Sequence, residues 1–299
     1  MSNIIKISQN FSSGINNENE VNCAFAKADL ERLNECKHID AYIGKGSTAP
    51  LEYEELLKQI TIKDKLNILD IGVGNGVSSL YLGKLGHEVS CVEPSIEFCK
   101  LISKASKKFL ISLKIYNSTA EDLKLKITKK FDVVFFNASL HHCDDPLLGL
   151  KNAHKLLKPG GFIFLSAETH LKPWQTEKSF KKLLEKYPLK MGHYGGNEHA
   201  YSSRKYVSML KKTNFINVKK LPSVYMVCAL DKLAFVLDRK INGTRVLGNF
   251  SALFRLIYYI FLEVFGSNKL IFHLLASLSL VQVNYSAKKS SKNNVRNKN

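Results

Sequence analysis

The chain has 299 residues, of which 45% are hydrophobic and 23% charged, the balance of a folded globular protein rather than a fibrous or disordered one. Its 44 Lys and Arg against 26 Asp and Glu leave a formal charge of +18, which draws nucleic acid, anionic membrane or acidic ligands unless the lysines are simply scattered, as most of them are here. The cysteines Cys23, Cys36, Cys91, Cys99, Cys143 and Cys228 form no C-x-x-C pair and the chain starts without a basic, then apolar leader, so a disulfide scaffold is excluded and a cytoplasmic location expected.

The first twenty residues are polar and rich in Asn and Ser, and are expected to be loose. Helical spacing runs from about Asn22 to Cys36 and again over Leu51–Ile60, with a turn at Gly44–Thr48 between them, so residues 1–60 read as an N-terminal helical cap. From Lys65 short β-rich runs alternate with helical ones, the pattern of a parallel sheet covered on both faces. Strands are expected at Asn67–Ile71, Glu88–Val92, Leu113–Asn117, Asp132–Asn137 and Gly161–Ala167, and a sixth near Ile216–Leu221. Helices are expected at Val77–Leu85, Ile96–Phe109, Leu147–Leu157, Lys178–Lys186 and Ser203–Thr213. Ser277–Tyr285 alternates apolar and polar residues and reads as a last strand, antiparallel to the sixth. The core is then residues 61–222 with 277–287, interrupted by an apolar helical insertion over 223–276, and the Lys/Ser/Asn-rich stretch 288–299 is expected to be disordered. Within the insertion, Phe250–Phe265 is apolar on most faces but carries Arg255 and Glu263, and falls short of the roughly 18–20 apolar residues of a spanning helix. It suits a substrate cap, or a peripheral contact with the inner face of a membrane.

The chemistry-bearing segment is Asn67-Ile-Leu-Asp70-Ile-Gly72-Val-Gly74-Asn-Gly76, a strand that ends in an acid and runs into a glycine turn at the head of a helix. Glycines there admit positive φ and let a ligand lie against bare backbone. A dinucleotide fingerprint would place glycine where Val77 stands, which argues against a nicotinamide dehydrogenase. Asp70 in front of the turn suits a ligand with an ammonium group rather than a pyrophosphate. Glu93 ends the next strand, nineteen positions after Gly74, the distance at which a carboxylate reaches ribose hydroxyls.

These residues resemble the class I S-adenosylmethionine-dependent methyltransferases, in particular their small-molecule family (methyltransferase domain 11-like). The resemblance runs from about Leu66 to Ala167. It takes in Ser118-Thr-Ala-Glu121-Asp122, Phe131–Asn137, the stretch Leu140-His141-His142-Cys-Asp144-Asp145-Pro146, and Leu157-Lys-Pro-Gly-Gly-Phe162. It implies an α/β, Rossmann-like doubly wound sheet of seven strands with the last antiparallel, and S-adenosyl-L-methionine as cofactor. It further implies that Asp70, Gly72, Gly74 and Gly76 cradle the methionine part, that Glu93 holds the ribose, that Thr119 and Ala120 border the adenine, and that Asn137 faces cofactor or acceptor. His141 and His142, at the mouth of the expected site, are the candidates to meet the acceptor or take its proton, although Asp145 and Pro146 nearby also fit a helix start. His193, His199 and Tyr201 lie in a glycine-rich loop as weaker candidates. No metal is expected.

The function expected is methyl transfer to an oxygen or nitrogen of a small, sugar-like or lipid-linked acceptor. An RNA or DNA methyltransferase is the rival suggested by charge, but Asn137-Ala-Ser-Leu replaces the Asn/Asp-Pro-Pro-aromatic run of base-amine enzymes, so nucleic acid is not the expected partner. A non-catalytic scaffold that keeps the fold is the second alternative.

Overall fold

A computed structural model describes residues 4–7, 11–44, 48–60, 65–123, 127–172, 174–187, 198–223 and 283–291. Between residues 67 and 166 the strands carry apolar residues on both sides, as strands covered by helices on both faces require. Successive residues alternate faces. Ile68, Val133, Phe135 and Phe164 therefore join one buried cluster, while Leu69, Ile71, Val134, Phe136 and Leu165 join the other.

Among the described residues eight strands form one sheet: β1 (Ile4–Lys6), β2 (Asn67–Ile71), β3 (Glu88–Glu93), β4 (Leu113–Asn117), β5 (Phe131–Asn137), β6 (Leu157–Ser166), β7 (Phe215–Pro222) and β8 (Val283–Lys289). Their order is β1-β4-β3-β2-β5-β6-β8-β7. The first six neighbours pair parallel, and β8 runs antiparallel to both β6 and β7. The order reverses between β2 and β5, and in such sheets ligands sit beyond the carboxyl ends of the strands at that reversal.

The helices among the described residues are α1 (Ser13–Glu35), α2 (Ile39–Ile43), α3 (Thr48–Leu57), α4 (Val77–Lys84), α5 (Ile96–Lys108), α6 (Pro146–Leu156), α7 (Glu177–Lys186) and α8 (Ser203–Lys212). Their ends carry local signals. Ser95 caps α5 by accepting from the Phe98 N–H, Glu97 sits in its first turn, and Lys107 and Lys108 in its last, each sign matching the helix dipole. Asp145 caps α6 with Pro146 at its first turn, so those residues do build a helix start. Side chains of α1, α4 and α5 cover one face of the sheet, and those of α6 and α8 the other.

Four expectations are corrected. The sheet has eight strands rather than seven, because the stretch taken as loose contains β1, paired in register Ile4 with Ile115 and tied by the Ile7 N–H to the Asn117 carbonyl. Three residues are too few to show a two-residue period. Helix α1 starts at Ser13, not Asn22, with Ser12 as its cap; its first three turns are too polar to show an apolar stripe. Helix α3 starts at Thr48, the last residue of the expected turn Gly44–Thr48, rather than at Leu51, and a short helix α2 ends just before Gly44; residues 45–47 lie outside the described residues. Strand β8 begins at Val283 and runs through Lys289, so Lys288 and Lys289 pair with Ile216 and Phe215 instead of opening a tail. Residues 277–282, and the insertion expected at 223–276 beyond Ser223, lie outside the described residues.

The ladder of β7 and β8 ends at Pro222 against Val283. Beside it the buried carboxylate of Glu52, on α3, accepts from Ser223 Oγ at 2.8 Å and from the Asn284 amide. Among the described residues no helix is long and apolar enough to cross a membrane.

Candidate functional site

At the carboxyl ends of β2, β3, β4 and β5 lies a cavity of about 410 Å³. Its floor is the turn after β2, and its walls come from the ends of β3 and β5, the loop after β4 and one face of α1.

The turn after β2 is tied to the neighbouring strand. The N–H groups of Gly72 and Val73 both reach the Val92 carbonyl, at 2.8 and 3.4 Å. Gly72 (φ +72) presses against the turn after β5: a Cβ there would stand 2.4 Å from Ser139 Cβ. Gly74 (φ +53) has nothing within 4 Å of that position, so bare backbone meets open cavity. Gly76 caps α4 against Ile102 and does not line the cavity.

Glu93 is 4% exposed and lines the cavity. Its Oε2 accepts from the Gly74 N–H and its Oε1 from the Ser95 N–H, both at 2.9 Å. Burial pushes its pKa up to about 7 against the pull of those two hydrogen bonds. Asp70 is set behind the turn rather than on the cavity wall. Its carboxylate accepts from Tyr53 Oη at 2.7 Å and from Ser79 Oγ at 2.6 Å. Burial raises it to about 6. In this structure Asp70 braces the glycine turn through α3 and α4.

Thr119 and Ala120 line the cavity beside Ser118 and Glu121. The loop that carries them is held by Asn152 of α6, whose amide donates to the Ala120 carbonyl at 3.1 Å. Asn117 steadies the same corner by donating to the Glu93 and Pro94 carbonyls. Asn137 lines the cavity at the end of β5, its Oδ1 accepting from Ser166 Oγ at 3.0 Å.

The two adjacent histidines part company. They sit on a single 3₁₀ turn, Leu140–His142, entered through Ala138 at φ +51. His141 is 3% exposed and absent from the cavity wall, with Nδ1 2.7 Å from Glu168 Oε2. His142 lines the cavity, its Nδ1 3.7 Å from Glu18 Oε1 on α1. His199 donates its N–H to the His141 carbonyl at 3.0 Å, and Tyr201 stacks on the His199 ring. His193 lies outside the described residues.

Two features carry no mark in the sequence pattern. The first is Glu168, fully buried just after β6. It accepts the N–H groups of Ser139, Leu140 and His141 at 3.3, 3.1 and 3.0 Å, in addition to the His141 ring. The second is the α1 stripe of Ile15, Glu18, Asn22, Phe25 and Asp29, spaced at alternating threes and fours along one helix face. Its mixed polarity hides it from any search for an apolar face. Asp29 accepts from the Asn75 amide at 3.1 Å, joining α1 to the glycine turn.

The charge of the cavity opposes that of the chain. Among the described residues its wall carries Glu18, Asp29, Glu93 and Glu121 and no Lys or Arg, although the whole chain is at +18. Burial raises Glu121 as well. Among the described residues no group of three or more His, Cys, Asp or Glu side chains is arranged to hold a metal ion.

Residues 69–165 match the protein family described as "Methyltransferase domain". The chain is 30% identical over 131 residues to the ubiquinone biosynthesis O-methyltransferase of Haemophilus ducreyi, a span of 40% of this chain and 56% of that one. It covers about half the length of the curated relatives it matches. Of solved structures, a putative sarcosine dimethylglycine methyltransferase from Galdieria sulphuraria is similar with a TM-score of 0.55 at 13% identity, over 91% of this chain and 99% of that one. The phosphoethanolamine N-methyltransferase 2 of Haemonchus contortus, solved with S-adenosyl-L-methionine, gives 0.52 at 18% identity over 80% and 52%. At such identities the likeness is one of fold. Residues 69–165 are therefore similar to a methyltransferase domain, and the sheet that holds them shares its fold with these solved methyltransferases.

Proposed function

We propose that the chain transfers a methyl group from S-adenosylmethionine to an oxygen or nitrogen of a small acceptor, with oxygen favoured by the names of its curated relatives. The observation that carries this is the acidic cavity at the sheet's reversal point, floored by bare Gly74 and walled by Glu93. Its residues fit the group. Glu93 keeps lone pairs free for ribose hydroxyls beyond the two backbone N–H groups it already accepts. Gly74 leaves room for the methionine part, and Thr119 and Ala120 flank the place left for the adenine.

When bound, S-adenosylmethionine supplies an electrophilic methyl group on a positively charged sulfonium. Carboxylates at Glu18, Asp29, Glu93 and Glu121 favour such a ligand electrostatically, since its ammonium is cationic as well. The same charges disfavour a polyanion, which argues against a nucleic-acid acceptor. Helix α1 covers the cavity and limits water beside the reacting atoms. A lipid-linked acceptor is supported by the apolar run Phe250–Phe265, and sedimentation with anionic liposomes tests it.

Calorimetric titration with S-adenosylmethionine and S-adenosylhomocysteine tests the reading. Wild type is expected to bind both, and Glu93→Ala to lose about 100-fold or more, as when a buried charged hydrogen-bond acceptor is removed. A folded wild type that binds neither compound would sink the proposal.

A further inference from the structure

Along α1 the cavity has two ends. Asp29 meets the glycine turn through Asn75, and Glu18 stands beside His142. The two acids are eleven residues apart on the helix, about 16 Å at 1.5 Å per residue. A donor whose methionine part lies over Gly74 has its amino-acid end beside Asp29.

The acid expected to meet the ammonium of that part is Asp70, but the structure turns it elsewhere. Its two oxygens accept from Tyr53 Oη and Ser79 Oγ, and the residue is absent from the cavity wall. Resting on the methyl-transfer reading, we propose that Asp29 receives the α-ammonium group of the donor, so that the charge recognition expected from the end of β2 is supplied across the cavity by α1.

The position of Asp29 carries this. It lines the cavity with its side chain 22% exposed, recessed yet reachable. Its Oδ2 accepts from the Asn75 amide at 3.1 Å, and Asn75 is itself fixed, since its Oδ1 accepts the Val77 N–H at 3.3 Å. The carboxylate is thus held against the glycine turn by a residue of that turn. Its Oδ1 pairs with Arg32 at 3.1 Å. Arg32 is 44% exposed, lies over the Tyr42 ring and does not line the cavity, so it steadies the carboxylate from the solvent side. A carboxylate offers about four lone-pair sites, so these two contacts leave capacity for a third donor.

Electrostatics call for an acid at this place. Helix α4 opens at Val77 behind the turn, and the positive end of its dipole disfavours a cation there unless an anion faces it. The other acids of the described wall are engaged elsewhere. Glu93 accepts from Gly74 and Ser95, Glu121 belongs to the loop after β4, and Glu18 is at the far end of α1. With its acid on α1 rather than in the sheet, the helix that walls the cavity becomes part of the grip on the donor.

The test is calorimetric titration of the full chain with S-adenosylhomocysteine and with its deaminated counterpart, in which hydrogen replaces the amino group. Wild type should bind the deaminated compound more weakly. Asp29→Asn keeps the size of the side chain and an oxygen for Asn75, and removes the charge. It should weaken S-adenosylhomocysteine by about 10- to 100-fold, as for a lost charge-assisted hydrogen bond, and leave the deaminated compound within about twofold. Asp70→Asn should lower the Tm and weaken both compounds in equal proportion. Equal weakening of both compounds in Asp29→Asn is the mark of a merely structural contact and would overturn the assignment. So would an Asp29→Asn variant that binds both as wild type does, a wild type that does not distinguish the two, or a discrimination lost in Asp70→Asn and kept in Asp29→Asn. A folded wild type that binds no S-adenosylhomocysteine is a separate result, and removes the methyl-transfer reading together with this one.

Discussion

The turns after β2 and β5 lie side by side at the carboxyl ends of neighbouring parallel strands, yet they are built by opposite means. The first uses glycines, so that its backbone is the surface a ligand meets. The second enters a left-handed conformation at Ala138 without a glycine, and its N–H groups are gathered inward by Glu168. It therefore offers side chains to the cavity rather than main chain. On the proposed reading, the scaffold holds the methyl donor with one turn and leaves the next free to vary with the acceptor. The two turns also brace each other, since Ser139 Oγ donates to the Ile71 carbonyl at 2.6 Å and its Cβ fills the space beside Gly72.

The sharpest way to break this arrangement is Gly72→Ala. The added Cβ meets Ser139 in a left-handed conformation, and a loss of about 3–5 kcal/mol is expected from overpacking and strain together. Chemical denaturation measures it, and a loss under about 1 kcal/mol would mean the turns are not in register contact. Next comes Glu168→Gln, which sets an amide donor against the N–H groups its carboxylate now accepts. About 2–4 kcal/mol of stability should go, with the amides of Ser139, Leu140 and His141 exchanging faster in hydrogen-exchange measurements.

Gly74→Ala sharpens the contrast within the glycine turn itself. It should cost about 1–2 kcal/mol for the left-handed conformation alone, because no neighbour stands in the way, yet weaken S-adenosylmethionine binding by about tenfold or more. Equal effects on stability from the two alanine variants would remove the distinction. The smallest effect is a proton. Glu93 stands at about 7 through burial, and hydroxyl donors from a ligand favour its ionised form. Binding should then release up to one proton near pH 6.5, and affinity should rise as pH rises through 7. Titration in buffers of different ionisation heat reads it, and a zero or positive uptake would show that Glu93 is not the group that meets the ligand.

Much of this site is legible in the sequence where a residue's conformation and its neighbours along the chain decide its place. Gly72, Gly74, Glu93, Thr119, Ala120 and Asn137 all lie on the cavity, because each ends a strand or follows one in a parallel sheet of known sense. Asp70 is one residue too early in its strand. The alternation of side chains turns it toward Tyr53 and Ser79 instead. The division between His141 and His142 depends on Glu168, twenty-seven positions away from His141, and no local pattern reports so distant a contact. Helix α1 is harder still, for its cavity face is polar and apolar in turn, and β1 is too short to declare itself.

The paired ends of β7 and β8 have a consequence for how this protein can change. Pro222 and Val283 are ladder partners, and the side chains just beyond them, Ser223 and Asn284, converge on one oxygen of Glu52. Residues 224–282 join two positions that are already paired with each other. Closing such a loop is entropically similar for short and long chains, growing only as the logarithm of length. The register at this edge of the sheet is thus set by the ladder and by Glu52, and tolerates a change in the number of residues that join Pro222 to Val283 along the chain.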